Sequence, residues 1–375
     1  MSTAYAVRRY SDEQLAASLI AQPPPGQTEW AARNIHWLEQ CKSPGRRRGK
    51  RERAAAPLVL CGHGVSLRIE RGTLVIRDGF THHPQERTTY QFFKGDLDLP
   101  RRIVMLDGSG SLSFDVIAWL AEQRVTLISL DWRGDVVSVI GGAGFAGHPD
   151  TVRWQTETRA DADARLGFST DLIHRKIVGS IETLSAAIPP SDRRDVAIGR
   201  LRADLAGLDA SPPATVTALR AVEARAGATY FAAWHGAPIR FKATARHPVP
   251  DAWRVIGPRS AVREGKVAKN ERASHPLNAL LNYAYAMLQA NLTVTAIADG
   301  YDPTLGIMHH GYKGSSAYIF DVMEPERPKV DAVILRLALG ETFSGADFTL
   351  RSDGVVRLGP QLARRVCGLV ADVGR

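Results

Sequence analysis

Apolar and polar positions divide the chain into a strand-rich first part and a helical second part. From Leu58 the segments LVLCG, VSLRIERGTLVIRDG and TTYQFF are short, rich in β-branched residues and partly alternating, which indicates strands. The run RRIVMLDGSGSLSFDVIAWLAEQRVTLISLDWRGDVVSVIGG predicts a strand, a glycine loop, a helix and further strands. We assign residues 58–146 to this β-rich domain.

After residue 147 the apolar positions recur with helical spacing. Examples are TVRWQTETRADADARLGFSTDLIHRKIVGSIETLSAAI and TVTALRAVEARAGATYFAAWHG. The segment SHPLNALLNYAYAMLQANLTVTAIADG opens with Ser274 as the predicted cap and Pro276 in the first turn. We therefore predict an α+β protein, in which a small β-rich N-terminal domain is followed by a larger all-helical domain over residues 147–375.

The first 57 residues fall outside this pattern and are interpreted as an N-terminal extension. Helices are predicted around SDEQLAASLIA and TEWAARNIHWLEQCK, separated by QPPPGQ. A dense basic run from Arg46 to Arg53 follows, flanked by Pro and Gly. This run is either a flexible arm that contacts phosphates or a solvated linker.

Charge and cysteine usage narrow the class of protein. The 375 residues carry a formal net charge of +9, which favours a polyanionic partner such as nucleic acid, although a protein can be basic without one. The three cysteines form no CxxC pair, which argues for a reducing cytosol and against a thiolate zinc site. Because no run is long and apolar enough to cross a bilayer, and no secretory signal opens the chain, we expect a cytoplasmic protein without membrane contact.

Candidate chemistry is concentrated in LGIMHHGYKGSSAYIFDVMEPERP, residues 305–328. Asp321 and Glu324 are three positions apart, so they share a face if this segment is helical. Two neighbouring acids repel, and a divalent cation would remove that repulsion. Imidazole with carboxylates suits Mn²⁺, whereas Mg²⁺ accepts carboxylates and keeps waters. The alternative is that these are satisfied polar residues near a core. Glu223 borders the apolar stripe of another predicted helix, where a salt-bridged surface residue is the simpler interpretation.

Three motifs in order carry a family resemblance: HPLNALLNYAYAML, GYDPTLGIMHHG and AYIFDVMEPERP. They resemble the C-terminal signature of the CRISPR-associated integrase, the nuclease of the spacer-acquisition module, over roughly residues 58–370. The resemblance implies that Glu223, His309 and Glu324 bind Mg²⁺ or Mn²⁺. It also implies that Asp321 is a catalytic residue that either binds the ion through water or orients a neighbouring group.

The same resemblance implies a reaction and partners. A 3′-hydroxyl of a short DNA duplex would attack a phosphodiester in a CRISPR repeat, and water in its place would give cleavage. The expected partners are double-stranded DNA with free 3′ ends, a second copy of the chain bound through the β-rich domain, and a small ferredoxin-like CRISPR-associated protein.

A basic segment before the Asn-rich helix is the predicted DNA contact, the alternative being a solvated connector. Asn278 and Asn282 lie four positions apart on one helical face. They form hydrogen bonds either to phosphate oxygens or groups next to the metal, or to buried backbone groups. Lys313 replaces an arginine that often follows the family histidine. The basic residues of the segment are Arg254, Arg259, Arg263, Lys266, Lys269 and Arg272.

Two other functions remain open from the sequence. A transposon-borne relative would integrate the ends of its own element, and the N-terminal extension keeps this alternative alive. A DNA-binding module with an inactive site would be indifferent to metal, and the intact acid–histidine–acid set argues against it.

Overall fold

A mixed six-stranded sheet forms the first large part of the protein. The computed structural model describes residues 29–41, 57–79, 88–130, 136–141, 148–257, 261–264, 267–310, 316–370 and 373. After helix α1 (Glu29–Cys41) come the sheet strands and helix α2 (Phe114–Glu122), which connects β4 to β5. The strands are β1 (Leu58–Glu70), β2 (Thr73–Arg77), β3 (Thr89–Phe92), β4 (Arg102–Leu112), β5 (Thr126–Leu130) and β6 (Val136–Ile140).

Strand order explains the apolar runs seen in the sequence. The order is β3-β2-β1-β4-β5-β6, with β1, β4 and β5 parallel and the outer strands antiparallel. Central parallel strands are covered on both faces, so they carry continuous apolar residues. Leu60, Ile103 and Ile128, one from each central strand, are completely buried.

The predicted glycine loop in DGSGS is wrong, because this segment is the second half of β4. Strand β1 is irregular opposite it, with register shifts on both sides of His63. A Cβ atom on Gly110 would lie 1.8 Å from the carbonyl oxygen of Val65. The glycine therefore permits close approach of two strand backbones.

Most of the rest of the chain is helical, in agreement with the apolar periodicity. Helices α3 and α4 are nearly continuous, and α7 is the central helix of this part. The helices are α3 (Pro149–Ala160), α4 (Ala162–Ala187), α5 (Asp192–Ala210), α6 (Val216–Ala232), α7 (Pro276–Ala298), α8 (Ala317–Met323), α9 (Arg327–Gly340) and α10 (Pro360–Val370). Among the described residues no helix is long and apolar enough to cross a membrane.

The prediction of an all-helical second part is wrong in detail, because it contains three two-stranded sheets. Most of these strands are only three or four residues long, which is too short for alternation to be recognised. The pairs join β7 (Arg240–Lys242) to β10 (Thr342–Ser344), β8 (Ala261–Glu264) to β9 (Val267–Ala273), and β11 (Phe348–Leu350) to β12 (Val356–Leu358).

Helix α1 packs into the C-terminal core and is not a separate appendage. The Arg33 guanidinium donates to both carboxylate oxygens of Asp347, at 2.8 and 3.1 Å, and the Trp37 indole donates to the same carboxylate at 2.9 Å. All three side chains are buried. The sequence placed this helix in an extension because local periodicity does not reveal a partner some 300 residues away. The basic run from Arg46 to Arg53 lies outside the described residues.

Buried polar contacts connect the sheet to the helices. Arg364 of α10 pairs with Asp78 after β2, and Arg102 at the start of β4 donates to Asn291 of α7. Arg102, Asp78 and Asn291 are buried. Since a buried charge without a partner is strongly unfavourable, these contacts hold the two parts in one orientation.

Candidate functional site

Lys176 lies between the two predicted glutamate ligands. Its ammonium, on α4, is 2.6 Å from Oε1 of Glu223 on α6 and 2.5 Å from Oε2 of Glu324 at the C-terminal end of α8. The two carboxylate oxygens therefore lie no further apart than the sum of these distances. The Glu324 side chain is 4% exposed, and those of Lys176 and Glu223 are about one-fifth exposed. The helices thus bring together two acids from distant parts of the chain.

Asp321 organises the turn that carries His309. Its carboxylate is fully buried and accepts the backbone N–H groups of Ile307 at 2.5 Å, Met308 at 3.0 Å and His309 at 2.9 Å. The same carboxylate lies 2.7 Å from Nδ1 of the His309 ring. A carboxylate only accepts at this site, so Nδ1 carries the proton. Nε2 is then the ring nitrogen that remains for a metal ion, as in carboxylate–histidine–metal arrangements.

Arginine side chains donate hydrogen bonds to the carbonyl groups of this turn. Arg165 donates to the carbonyl oxygen of Ile307 at 2.8 Å, and Arg220 donates to that of Met308 at 2.8 Å. A Cβ atom on Gly306 would lie 2.5 Å from the carbonyl oxygen of His309, so only glycine fits. Side chains thus satisfy backbone groups of this turn.

Electrostatics keep Glu324 ionised despite its burial. Burial alone would raise the pKa of Glu324, but Arg327 and Lys176 outweigh it and the pKa lies below its ordinary value. Arg327 is 3.5 Å from Oε1 of Glu324. The carboxylate is therefore charged at neutral pH.

A small pocket lies beside Lys176 and Glu223. Burial and the nearby Asp331 raise the pKa of Tyr230 well above its ordinary range, so its hydroxyl stays neutral and donates to Asp331 at 3.0 Å. The Tyr285 hydroxyl bonds the other oxygen of Asp331 at 2.5 Å. The polar side chains lining the pocket are Lys176, Ser180, Glu223, Tyr230, Tyr285, Arg327 and Asp331.

The predicted DNA contacts lie in different environments. Arg254 is 43% exposed in the short 3-10 helix Asp251–Arg254, whereas Asn278 is buried, which favours its structural interpretation. Arg272 is paired with Asp353 at 3.0 Å. Arg263 and Lys269 lie on β8 and β9, with no described side chain, and Asn282 is half-buried on α7. Arg259, Lys266 and Lys313 lie outside the described residues.

The sequence motifs do not identify the lysine and arginines that surround the site. Lys176 lies three residues after Ile173 and four before Ser180, both of which are buried, so a lysine on the buried face of α4 was the available signal. Arg165, Arg220 and Arg327 carried no comparable signal. Within the described part of the chain, no group of three or more His, Cys, Asp or Glu side chains is placed to hold a metal ion as it stands.

Comparison with known proteins assigns the fold and the family. A casposase bound to integration product superposes with a TM-score of 0.66 at 22% identity, covering 84% of this chain and 82% of that one. A chain of a Cas6-RT-Cas1–Cas2 complex superposes with a TM-score of 0.60 at 14% identity, covering 88% of this chain and 33% of that one. The sheet and the helical part thus define a Cas1-like α+β protein.

Sequence comparison then gives the family itself. The family described as CRISPR associated protein Cas1 matches residues 58–371. The CRISPR-associated endonuclease Cas1 1 of Archaeoglobus fulgidus is 26% identical over 297 residues, which are 75% of this chain and 77% of the relative. The chain belongs to the Cas1 family, and the resemblance of the three C-terminal motifs is confirmed.

Proposed function

We propose that the protein is a metal-dependent DNA integrase and endonuclease, which joins 3′-hydroxyl ends of short duplexes into a CRISPR repeat. The observation that carries this proposal is the meeting of Glu223 and Glu324 at one cation, with His309 close enough to interact electrostatically with Glu324. Membership of the Cas1 family supports the DNA substrate, as does the name of the Archaeoglobus relative, an endonuclease.

The residues fit a divalent cation in place of the lysine ammonium. Lys176 shows that one positive centre can contact both carboxylates. Asp321 fixes the His309 ring through Nδ1 and leaves Nε2 as the third ligand atom. Two carboxylates and one imidazole suit Mn²⁺ and are acceptable to Mg²⁺. Glu223, His309 and Glu324 would hold the ion, which would supply Lewis-acid stabilisation of charge on the phosphate.

The proposed reaction is an exchange of phosphodiester bonds. A bond forms between the attacking 3′-oxygen and phosphorus, and the bond to the 3′-oxygen of the target strand breaks, so no external energy source is needed. In phosphoryl transfer the protein acts mainly by positioning and by electrostatic stabilisation. Arg327 and Arg220 are cations close enough to the site to attract phosphate oxygens, and Asp321 keeps His309 in place.

The test is joining of a labelled short duplex to a supercoiled plasmid that carries a repeat, with Mg²⁺, Mn²⁺ or EDTA. We expect joined products only with metal, and none with a duplex whose 3′ ends are dideoxy-terminated. Glu223→Gln should abolish joining while the folded protein persists in thermal unfolding. Glu182→Gln is the matched control, because Glu182 is exposed on the same helix as Lys176.

Each alternative function gives a different result in the same assay. Nicking without joining would indicate a nuclease alone, and DNA binding that is indifferent to metal would indicate an inactive binding module. Joining only of ends with one terminal sequence, regardless of the repeat, would indicate a transposon-borne integrase.

A homodimer through the sheet is also proposed, together with a small ferredoxin-like CRISPR-associated partner. The sheet part exposes large apolar side chains, including Phe114 at 90%, Val137 at 63% and Phe93 at 62%. Phe93 follows β3 and Val137 lies on β6, at opposite ends of the strand order, so Phe114 on α2 is the contact residue of this proposal. One chain of the Cas6-RT-Cas1–Cas2 complex shares this fold, and that complex contains Cas2, which supports the second partner. Light scattering of the wild type and of Phe114→Ser tests the dimer.

A further inference from the structure

We infer that Lys176 is an internal counter-ion, which holds the two glutamates together without metal and which a divalent cation must displace. This inference rests on the proposed metal site. Lys176, which is not one of the three predicted ligands, would then help to set the affinity for metal.

The geometry makes Lys176 and a metal ion alternatives. Its ammonium contacts Oε1 of Glu223 at 2.6 Å and Oε2 of Glu324 at 2.5 Å. A divalent ion coordinated by carboxylate oxygens of both side chains needs the space between them. The lysine and the ion therefore cannot bind the pair in the same way at once.

Burial explains why a counter-ion is needed. Glu324 has a side chain that is 4% exposed, and its Oε2 lies 2.5 Å from the Lys176 ammonium. Without a cation it would face Glu223 in a poorly solvated site, where like charges repel strongly. Lys176 removes that repulsion, and Arg327 at 3.5 Å contributes a second positive charge.

Displacement has room to occur. The Lys176 side chain is 19% exposed and lines a small pocket together with Glu223. Four flexible methylenes allow its ammonium to leave the carboxylates without movement of helix α4. The net free energy of metal binding is then the intrinsic free energy of binding to the ligands minus the free energy needed to break the lysine contacts. The lysine therefore weakens the observed affinity for metal.

The first test is Mn²⁺ binding by Lys176→Met, followed through the electron paramagnetic resonance signal of free Mn²⁺. Loss of the lysine contacts should lower the Kd for Mn²⁺ by at least about tenfold, since charge-assisted hydrogen bonds are each worth more than a tenfold change. The same variant should unfold at a lower temperature in EDTA and recover with Mn²⁺. Lys329→Met is the control, because Lys329 is 60% exposed and pairs with Glu326. A purely structural lysine would lower stability without tightening Mn²⁺ binding.

The second test uses the wild type and does not depend on the folding of a variant. Reductive methylation followed by mass spectrometry of peptides should show Lys176 protected in EDTA and modified faster with saturating Mg²⁺. The reactivity of Lys329 should not change with metal. Persistent protection of Lys176 at saturating metal, or an unchanged Kd in Lys176→Met, overturns the inference.

These outcomes separate the inference from the function on which it rests. If wild-type protein binds Mn²⁺ and Glu324→Gln loses it, the proposed site stands and the lysine result decides the inference alone. If the wild type binds no Mn²⁺, or binds it without Glu223 and Glu324, both are overturned.

Discussion

Asp321→Asn should destabilise the protein through the turn that carries His309. Asp321 is completely buried, and each of its oxygens accepts two hydrogen bonds: Oδ2 from the backbone N–H groups of Ile307 and Met308, Oδ1 from the N–H and ring of His309. An asparagine amide has one oxygen and one NH₂ group. With the NH₂ group at the Oδ2 position, the N–H groups of Ile307 and Met308 lose their acceptor. With the NH₂ group at the Oδ1 position, only the N–H of His309 loses its acceptor, because the ring can change tautomer and accept at Nδ1. The second orientation costs less, so at about 1–3 kcal/mol for a buried unsatisfied donor the expected loss is about 1–3 kcal/mol in the free energy of unfolding.

The assay is equilibrium urea unfolding followed by circular dichroism, in EDTA so that metal binding plays no part. Asp171→Asn is the matched control, because Asp171 is 65% exposed and pairs with Arg175 at 3.5 Å on the surface of α4. That change should alter the free energy by less than about 0.5 kcal/mol. A free energy of unfolding for Asp321→Asn as close to wild type as that of the control would refute the reasoning.

A functional readout accompanies the change in stability. The His309 ring loses its carboxylate partner in Asp321→Asn, so its orientation toward the proposed ion is lost. The affinity for Mn²⁺ should fall about 10- to 100-fold, the range typical of partners behind metal ligands. An unchanged Kd in the folded variant would mean that the ring is positioned by other contacts.

Three further predictions concern the fold. Asp347→Ala leaves Arg33 and Trp37 buried without their acceptor. The free energy of unfolding in urea should fall by about 3–5 kcal/mol, and α1 should become accessible to proteolysis. Lys94→Ala, which removes an exposed pair with Glu122, should change neither property. Burial lowers the pKa of His275 below 6.5, so the unfolded chain binds a proton at a higher pH than the folded protein does. The free energy of unfolding should therefore fall as the pH drops below about 6.5. The fall should be less steep in His275→Gln, and an equal slope would contradict this prediction. Gly110→Ala should yield little folded protein, since its Cβ would meet the Val65 carbonyl oxygen at 1.8 Å, whereas Gly199→Ala, with open space around the Cβ, should fold normally.

The coarse architecture and the family were predictable from local pattern. Apolar runs in Leu58–Glu70 and Arg102–Leu112 reflect parallel strands covered on both faces, and helical periodicity reflects one buried stripe. The glycine Gly306, in the turn before His309, also marks a position where a side chain has no room. Such signals are local, because they follow from the conformation and burial of a few consecutive residues. The ligand assignment of Glu223, His309 and Glu324 stays a prediction.

Tertiary packing alone decided which groups meet. Periodicity could mark Lys176 as lying on a buried face, but its carboxylate partners are 47 and 148 residues away and depend on how α4 packs against α6 and α8. Likewise, Asp347 receives Arg33 across 314 positions. Long-range ion pairs depend on the three-dimensional distance between charges, and the composition of a segment carries no information about that distance.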